Sequence, residues 1–168
     1  MDEVLLRWIY DFSEAAWWDQ TMFFFSSWGY KLAILFILIS LVWKQTRWTG
    51  FAGMAALVLG LTLSQVLRWL FPRERPFMVF ETVEELLPKE ATASFPSEQG
   101  ITIGVFMIVL WQFGGAWRWI GIVLGMLVMV SRVYVGHHYV SDVLVGAALG
   151  ILCFMIFHKM IVKRRKAL

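Results

Sequence analysis

Residues 131–142, Ser-Arg-Val-Tyr-Val-Gly-His-His-Tyr-Val-Ser-Asp, interrupt two apolar runs with an arginine, two histidines and an aspartate. Such side chains at the end of a membrane span are costly unless they face a wet cavity or one another, so they point to a function. If a helix opens at Val140, His138 and Asp142 stand four residues apart on one face. A carboxylate there accepts the N–H of one imidazole nitrogen, which sets the tautomer and leaves the other nitrogen free to attack. Arg132 adds a permanent planar cation whose fork fits phosphate oxygens. Taken singly, each has a plainer reading as a helix cap, a snorkelling side chain or polar filler. Together at one boundary they read as part of a covalent-catalysis site.

Two more segments belong with that run. The first holds Arg68 and then Arg73-Glu74-Arg75-Pro76, and the second is Phe95-Pro96-Ser97-Glu98-Gln99-Gly100. Ser97 after Pro96 is a good N-cap, and the free N–H groups of a first helical turn make an anion site. Arg68, Arg75 and Arg132 would place three guanidinium groups around it, enough to hold one phosphoryl group and offset transition-state charge without a metal. The chemistry implied is attack by a histidine on a phosphate ester, with no cofactor.

The elements that must carry these residues are apolar helices. The 168 residues are 60% hydrophobic and only 16% charged, which is far from soluble composition. The reading is an all-α, polytopic membrane bundle in a single domain, residues 1–168, with about five spanning helices. Residues 2–20 alternate apolar and charged faces and hold five acids, so they are read as an amphipathic helix in the interface. The acids there are also the wrong charge for a cleavable leader. Spans follow from about residue 22 or 28 to 43, at 51–71, from 97 to 113, at 117–135 and at 140–161, and 72–96 is a long active-site loop.

Charge orients the bundle. Lys44, Arg47, Arg118, Lys159 and the Lys163 to Lys166 run share one side with no acid among them. By the positive-inside rule that side, with the carboxyl terminus, is cytoplasmic and the loop with His138 extracytoplasmic. A net charge of +3 says little about nucleic acid, which is not an expected partner, and speaks instead about orientation in a bilayer. The single cysteine, Cys153, is a packing residue inside a span, and Glu81, Glu84 and Glu85 read as a solvated face rather than a metal site. His158 is an interfacial side chain, and Gly121, Gly125, Gly146 and Gly150 are packing positions.

Arg68, six residues, Arg75-Pro76; then Pro96-Ser97; then Ser131-Arg132, five residues, His138, three residues, Asp142: this spacing resembles the three-part signature of the type 2 phosphatidic acid phosphatase superfamily. Within it, Arg-Pro-Phe, Ala-Ser-Phe-Pro-Ser and Val-Gly-His-His-Tyr resemble the bacitracin-resistance type of undecaprenyl pyrophosphate phosphatase. The resemblance implies a phosphohistidine on His138 oriented by Asp142, and phosphate held by Arg68, Arg75, Ser97 and Arg132, with Glu98 in the same phosphate-binding turn. It also implies an outward-facing site and a lipid phosphate or pyrophosphate substrate.

This chain departs from the pattern twice. Arg68 stands where the family usually has lysine, and Gln99 stands where the general-acid histidine belongs. An amide cannot deliver a proton, and Glu98 and His137 are the nearby candidates to replace it. A monoester expels an alkoxide whose conjugate acid has a pKa of about 16, near that of water, whereas a pyrophosphate expels a lipid phosphate with a pKa of about 6. The second group leaves without a proton, so a lipid pyrophosphate is the expected substrate. Two alternatives stay open: a phosphatidate or phosphatidylglycerol phosphate phosphatase, and a lipid-pyrophosphate-binding protein with impaired turnover.

Overall fold

The computed structural model describes residues 2–10, 16–80, 83 and 86–166. Helix α1 (Asp2–Tyr10) is followed by α2 (Ala16–Phe24), which runs through a π-helical turn, Phe25–Gly29, into α3 (Tyr30–Val42). Then come α4 (Arg47–Leu70), the short α5 (Pro76–Val79), α6 (Glu98–Phe113), α7 (Gly115–Tyr134) and α8 (Val140–Lys166). Among the described residues, four stretches are long and apolar enough to cross a bilayer: Trp17–Val42, Arg47–Leu70, Gly115–Tyr134 and Val140–Lys163. The protein is a multi-pass membrane protein. Its spans bury only a minority of their residues within the chain, and Val42, Val58, Val123, Leu144 and Leu152 lie exposed, as side chains that face lipid do.

Two sequence expectations change. The amphipathic helix expected over residues 2–20 is α1 alone, and residues 16–20 open the first spanning helix, with 11–15 outside the described residues. Asp19 is tolerated there because its carboxylate accepts from the Tyr134 hydroxyl. Helix α1 packs on α7 and α8 with Leu6 fully buried, while Trp8 stays exposed. The third expected span, α6, has 16 residues, about 24 Å at 1.5 Å each and short of a ~30 Å hydrocarbon core. It is the central helix, packed by α3, α4, α7 and α8, with Ile101, Ile103, Val105, Val109 and Leu110 buried. Enclosed by protein, it need not match the bilayer.

The closest approach in the bundle is between α6 and α8, where Gly100 and Gly104 face Gly146 and Gly150. A Cβ on Gly104 would lie 2.1 Å from the Ala147 carbonyl oxygen, and one on Gly150 2.2 Å from that of Ile101. Gly146 meets the Ser97 carbonyl in the same way at 2.5 Å. These small residues let two backbones touch and hold the start of α6 against the start of α8, where Ser97 N–H donates to the Asp142 carbonyl at 3.1 Å. Gly104→Ala is therefore expected to cost about 1–3 kcal/mol through overpacking. Thermal unfolding in detergent measures it, and an unchanged midpoint would show slack in this interface.

Candidate active site

Helix α7 ends where Gly136 adopts φ 76°, a left-handed conformation that a side chain would strain. Val135 N–H returns to the Ser131 carbonyl and Gly136 N–H to that of Val133, closing the turn. The chain reverses, and His137 and His138 enter the bundle, 2% and 1% exposed. Asp142, in the first turn of α8, is fully buried.

His138 Nδ1 lies 2.9 Å from the Ser94 carbonyl oxygen and 3.8 Å from Asp142 Oδ2. Its N–H therefore donates first to a backbone carbonyl rather than to the carboxylate that the sequence suggested. The tautomer is the expected one, and Nε2 is left as the free nitrogen. Asp142 acts around the imidazole: Oδ2 accepts from the Ser94 hydroxyl and from Tyr139 N–H at 3.0 Å, and Oδ1 from Arg73 Nη1 at 2.9 Å. Burial, reinforced by the charges of Arg132 and Arg75 and opposed by Asp142, holds the His138 pKa down to about 4. The ring is neutral at physiological pH.

Arg75 Nη1 sits 3.4 Å from His138 Nε2 and donates to the His137 carbonyl at 2.8 Å, while Nη2 reaches Thr92 Oγ1 at 3.0 Å. Arg132 Nη1 reaches Ser26 Oγ, and Nη2 donates to His137 Nδ1 at 2.7 Å. Arg68 pairs with Glu98 at 3.0 Å. Burial and then the nearby Arg68 charge lower the Arg75 pKa, so these guanidinium groups repel one another at close range. The Nε atoms of Arg68, Arg75 and Arg132 are buried and have no hydrogen-bond partner among the described residues. Three buried cationic donors without acceptors suit an anion with several oxygens.

Both substitutes for the missing acid are occupied. His137 Nε2–H donates to the Leu87 carbonyl at 2.6 Å, so Nδ1 is the acceptor for Arg132, and burial with the Arg132 charge pushes its pKa to about 3. It has no proton to lend. The Glu98 carboxylate accepts from Arg68 and from Gln65 at 2.8 Å, so its side chain balances a cation instead of meeting an anion. Any part of Glu98 in holding phosphate falls to its main-chain N–H. Ser97 Oγ accepts from Gly100 N–H at 3.2 Å as the N-cap of α6. Glu81, Glu84 and Glu85 lie outside the described residues.

Gln99 and Arg132 line a cavity of about 290 Å³ together with Tyr30, Lys31, Lys89 and His137. His138 and Arg75 are not part of this lining, whereas His137 is. Sequence reasoning missed several residues here. Ser94 touches both members of the His138–Asp142 pair, and Arg73 bridges Asp142 to Asp2 of α1 at 2.9 Å on each side, 3.6 Å over the Tyr139 ring. Both were visible within quoted motifs, Ser94 one residue before Phe95-Pro96 and Arg73 two before Arg75. Asp2, Ser26 and Lys89 carry no local signal.

The chain is similar to several known proteins. The undecaprenyl-diphosphatase of Sulfolobus acidocaldarius is 30% identical over 142 residues, 83% of this chain and 69% of that protein. The undecaprenyl-diphosphatase BcrC of Bacillus subtilis is 29% identical over 152 residues, 84% of this chain and 74% of that protein. The crystal structure of Aquifex aeolicus LpxE superposes with a TM-score of 0.80 at 26% identity, covering 92% of this chain and 93% of that one. The profile of the PAP2 superfamily matches residues 49–166, which hold all three arginines, the histidine and the aspartate. The chain belongs to the PAP2 superfamily.

Proposed function

We propose that this protein is a lipid pyrophosphate phosphatase that removes the terminal phosphate of an undecaprenyl-type diphosphate, with His138 as nucleophile. The observation that carries the reading is a neutral imidazole whose Nδ1–H is held by Ser94 while Nε2 stands beside Arg75, within a group of three arginines whose Nε–H groups lack acceptors. The names of the relatives support the lipid.

The substrate's terminal phosphoryl oxygens take the donors of Arg68, Arg75 and Arg132. Moving Arg75 from its 3.4 Å approach onto an oxygen frees Nε2. The Nε2–P bond then forms as the P–O bond to the lipid phosphate breaks, and the guanidinium groups hold the equatorial charge. Asp142, fixed by Ser94, Tyr139 N–H and Arg73, balances the imidazolium charge that appears on attack. Water then attacks phosphorus, the P–N electron pair returns to Nε2, and both of the water's protons stay with the phosphate, which leaves as dihydrogen phosphate. No general acid enters, in keeping with Gln99 and with a leaving group of pKa about 6.

The acid-free end of the bundle, with Lys44, Arg47, Arg118 and the C-terminal basic run, supports a cytoplasmic carboxyl terminus and a site open to the outer leaflet. Residues 1–168 act as one domain, with α1 and the described part of the 72–96 loop at the end that holds His138.

His138→Ala is expected to abolish phosphate release from a polyprenyl diphosphate, and full activity in a folded variant overturns the nucleophile. Gln99→His restores a proton donor. It is expected to raise phosphatidate hydrolysis by about 10²–10⁴-fold and diphosphate hydrolysis far less. A rise of orders of magnitude for the diphosphate, from almost nothing, would favour the binding-protein reading instead. The third expectation concerns stability and pH. His137 and His138 titrate at about 3 and 4 when folded, below the 6.5 of a free imidazole, so the unfolded chain binds protons first as pH falls. Thermal stability should decline from about pH 6.5 toward 4, and His137→Asn should flatten part of that slope.

A further inference from the structure

Asp142 meets the positive charge that attack places on His138, and the setting of that carboxylate reaches beyond its nearest contacts. Asp142 Oδ2 stands 3.8 Å from His138 Nδ1, outside hydrogen-bond range, so it acts on the ring through its field rather than through a shared proton. Any cation laid against the carboxylate weakens that field.

Arg73 is such a cation. Its Nη1 donates to Asp142 Oδ1 at 2.9 Å and to the Ser141 hydroxyl at 2.7 Å, while Nη2 donates to Asp2 Oδ2 at 2.9 Å. One guanidinium group thus lies between two carboxylates, with its carbon 3.6 Å over the Tyr139 ring. Asp142 belongs to α8 and Asp2 to α1, which packs on α7 and α8 through the buried Leu6.

Asp2 is itself held by α8. Its Oδ1 accepts from Ser141 N–H at 3.1 Å, and its Oδ2 accepts from the Ser141 hydroxyl. Ser141 is the second residue of α8, where main-chain N–H groups find no acceptor in their own helix, so the Asp2 carboxylate supplies one from another helix. Asp142, the third residue, turns back to Tyr139 N–H at 3.0 Å in the manner of a capping box. Two carboxylates therefore close the first turn of α8. Burial opposes the ionisation of Asp2, but hydrogen bonds from Ser141 and Arg73 outweigh it and hold its carboxyl below the ordinary carboxylate value.

We propose that Asp2 is a positioning residue for the phosphatase reaction: held by Ser141, it aligns Arg73 and takes up part of its charge, which leaves Asp142 the stronger counter-ion for the His138 imidazolium. Without the Asp2 carboxylate the whole Arg73 charge falls on Asp142. The imidazolium that forms as Nε2 bonds to phosphorus is then less well balanced. The polar contacts of Asp2 are with Arg73 and Ser141, not with His138, so its effect falls on the rate of attack rather than on the capture of phosphate.

This role rests on the phosphatase reading, and the assay separates the two. Phosphate release from farnesyl diphosphate in detergent micelles gives kcat and KM per folded chain, with His138→Ala assayed alongside. Asp2→Asn is expected to lower kcat by about tenfold, the worth of one charge-assisted hydrogen bond, while KM stays within about twofold. Asp2→Glu should recover most of the loss. Arg73→Met should cost at least as much, and adding Asp2→Asn to it should cost little more, because the effect of Asp2 passes through Arg73. Glu3→Gln, which breaks the exposed Glu3–Arg7 pair on the same helix, should leave kcat unchanged. An unchanged kcat in Asp2→Asn, a change in KM alone, additive losses in the double variant or an equal loss in Glu3→Gln each overturns the role of Asp2, while an inactive His138→Ala keeps the phosphatase. Activity retained in His138→Ala overturns both. If Arg73→Met fails to fold, Asp2→Asn, Asp2→Glu and Glu3→Gln decide the matter.

Discussion

Guanidinium groups sunk into an apolar bundle are the constraint on which this structure turns. Cations away from water are costly unless they find acceptors, and Arg75 and Arg132 find theirs in the backbone and side chains of distant segments. Arg75 ties the turn after α7 to residues 92–93, and Arg132 ties α7 to the π-helical turn at Ser26. Each arginine therefore fastens two parts of the chain together with its Nη atoms. Each also keeps its Nε–H unspent. The same side chain staples the fold and retains a donor that an anion would fit.

The imidazole is prepared by a second set of contacts. Ser94 contributes its carbonyl to His138 and its hydroxyl to Asp142, so one residue sets both the tautomer of the first and the orientation of the second. Arg73 extends the chain outward from Asp142 to Asp2, and Ser141 also bonds Asp2 through its main-chain N–H at 3.1 Å. Helix α1 is thereby part of the support of the site rather than a detached surface anchor. The fully buried Leu6 and the acidic first turn, whose Asp2 meets Arg73, explain why it docks on α7 and α8.

The bundle is built to keep this end still. Glycines on α6 and α8 bring two backbones into contact, and the consequence lies a turn or two away, where Ser97 and Asp142 meet. Because α6 is enclosed by other helices, it stops short of a full span without exposing polar backbone to lipid. Loss of the acid histidine is tolerable chemistry in such a site if the leaving group is itself a phosphate. The occupied states of His137 and Glu98 make that the reading with fewest unmet needs.

Much was legible in the sequence because it is local. Apolar run length sets the spanning helices, and the four-residue step from His138 to Asp142 puts them on one side of a turn. The types of Arg68, Arg75 and Arg132 alone imply an anion. Only the tertiary structure decided which acceptor each donor meets, because those partners are remote: Ser94 lies 44 residues from His138, Asp2 lies 139 from Ser141, and Ser26 lies 106 from Arg132. It also decided that residues 16–20 join a span and that Lys89 faces the arginines. A hydrogen bond needs its two atoms within about 3 Å, and no one-dimensional pattern encodes that distance between segments so far apart.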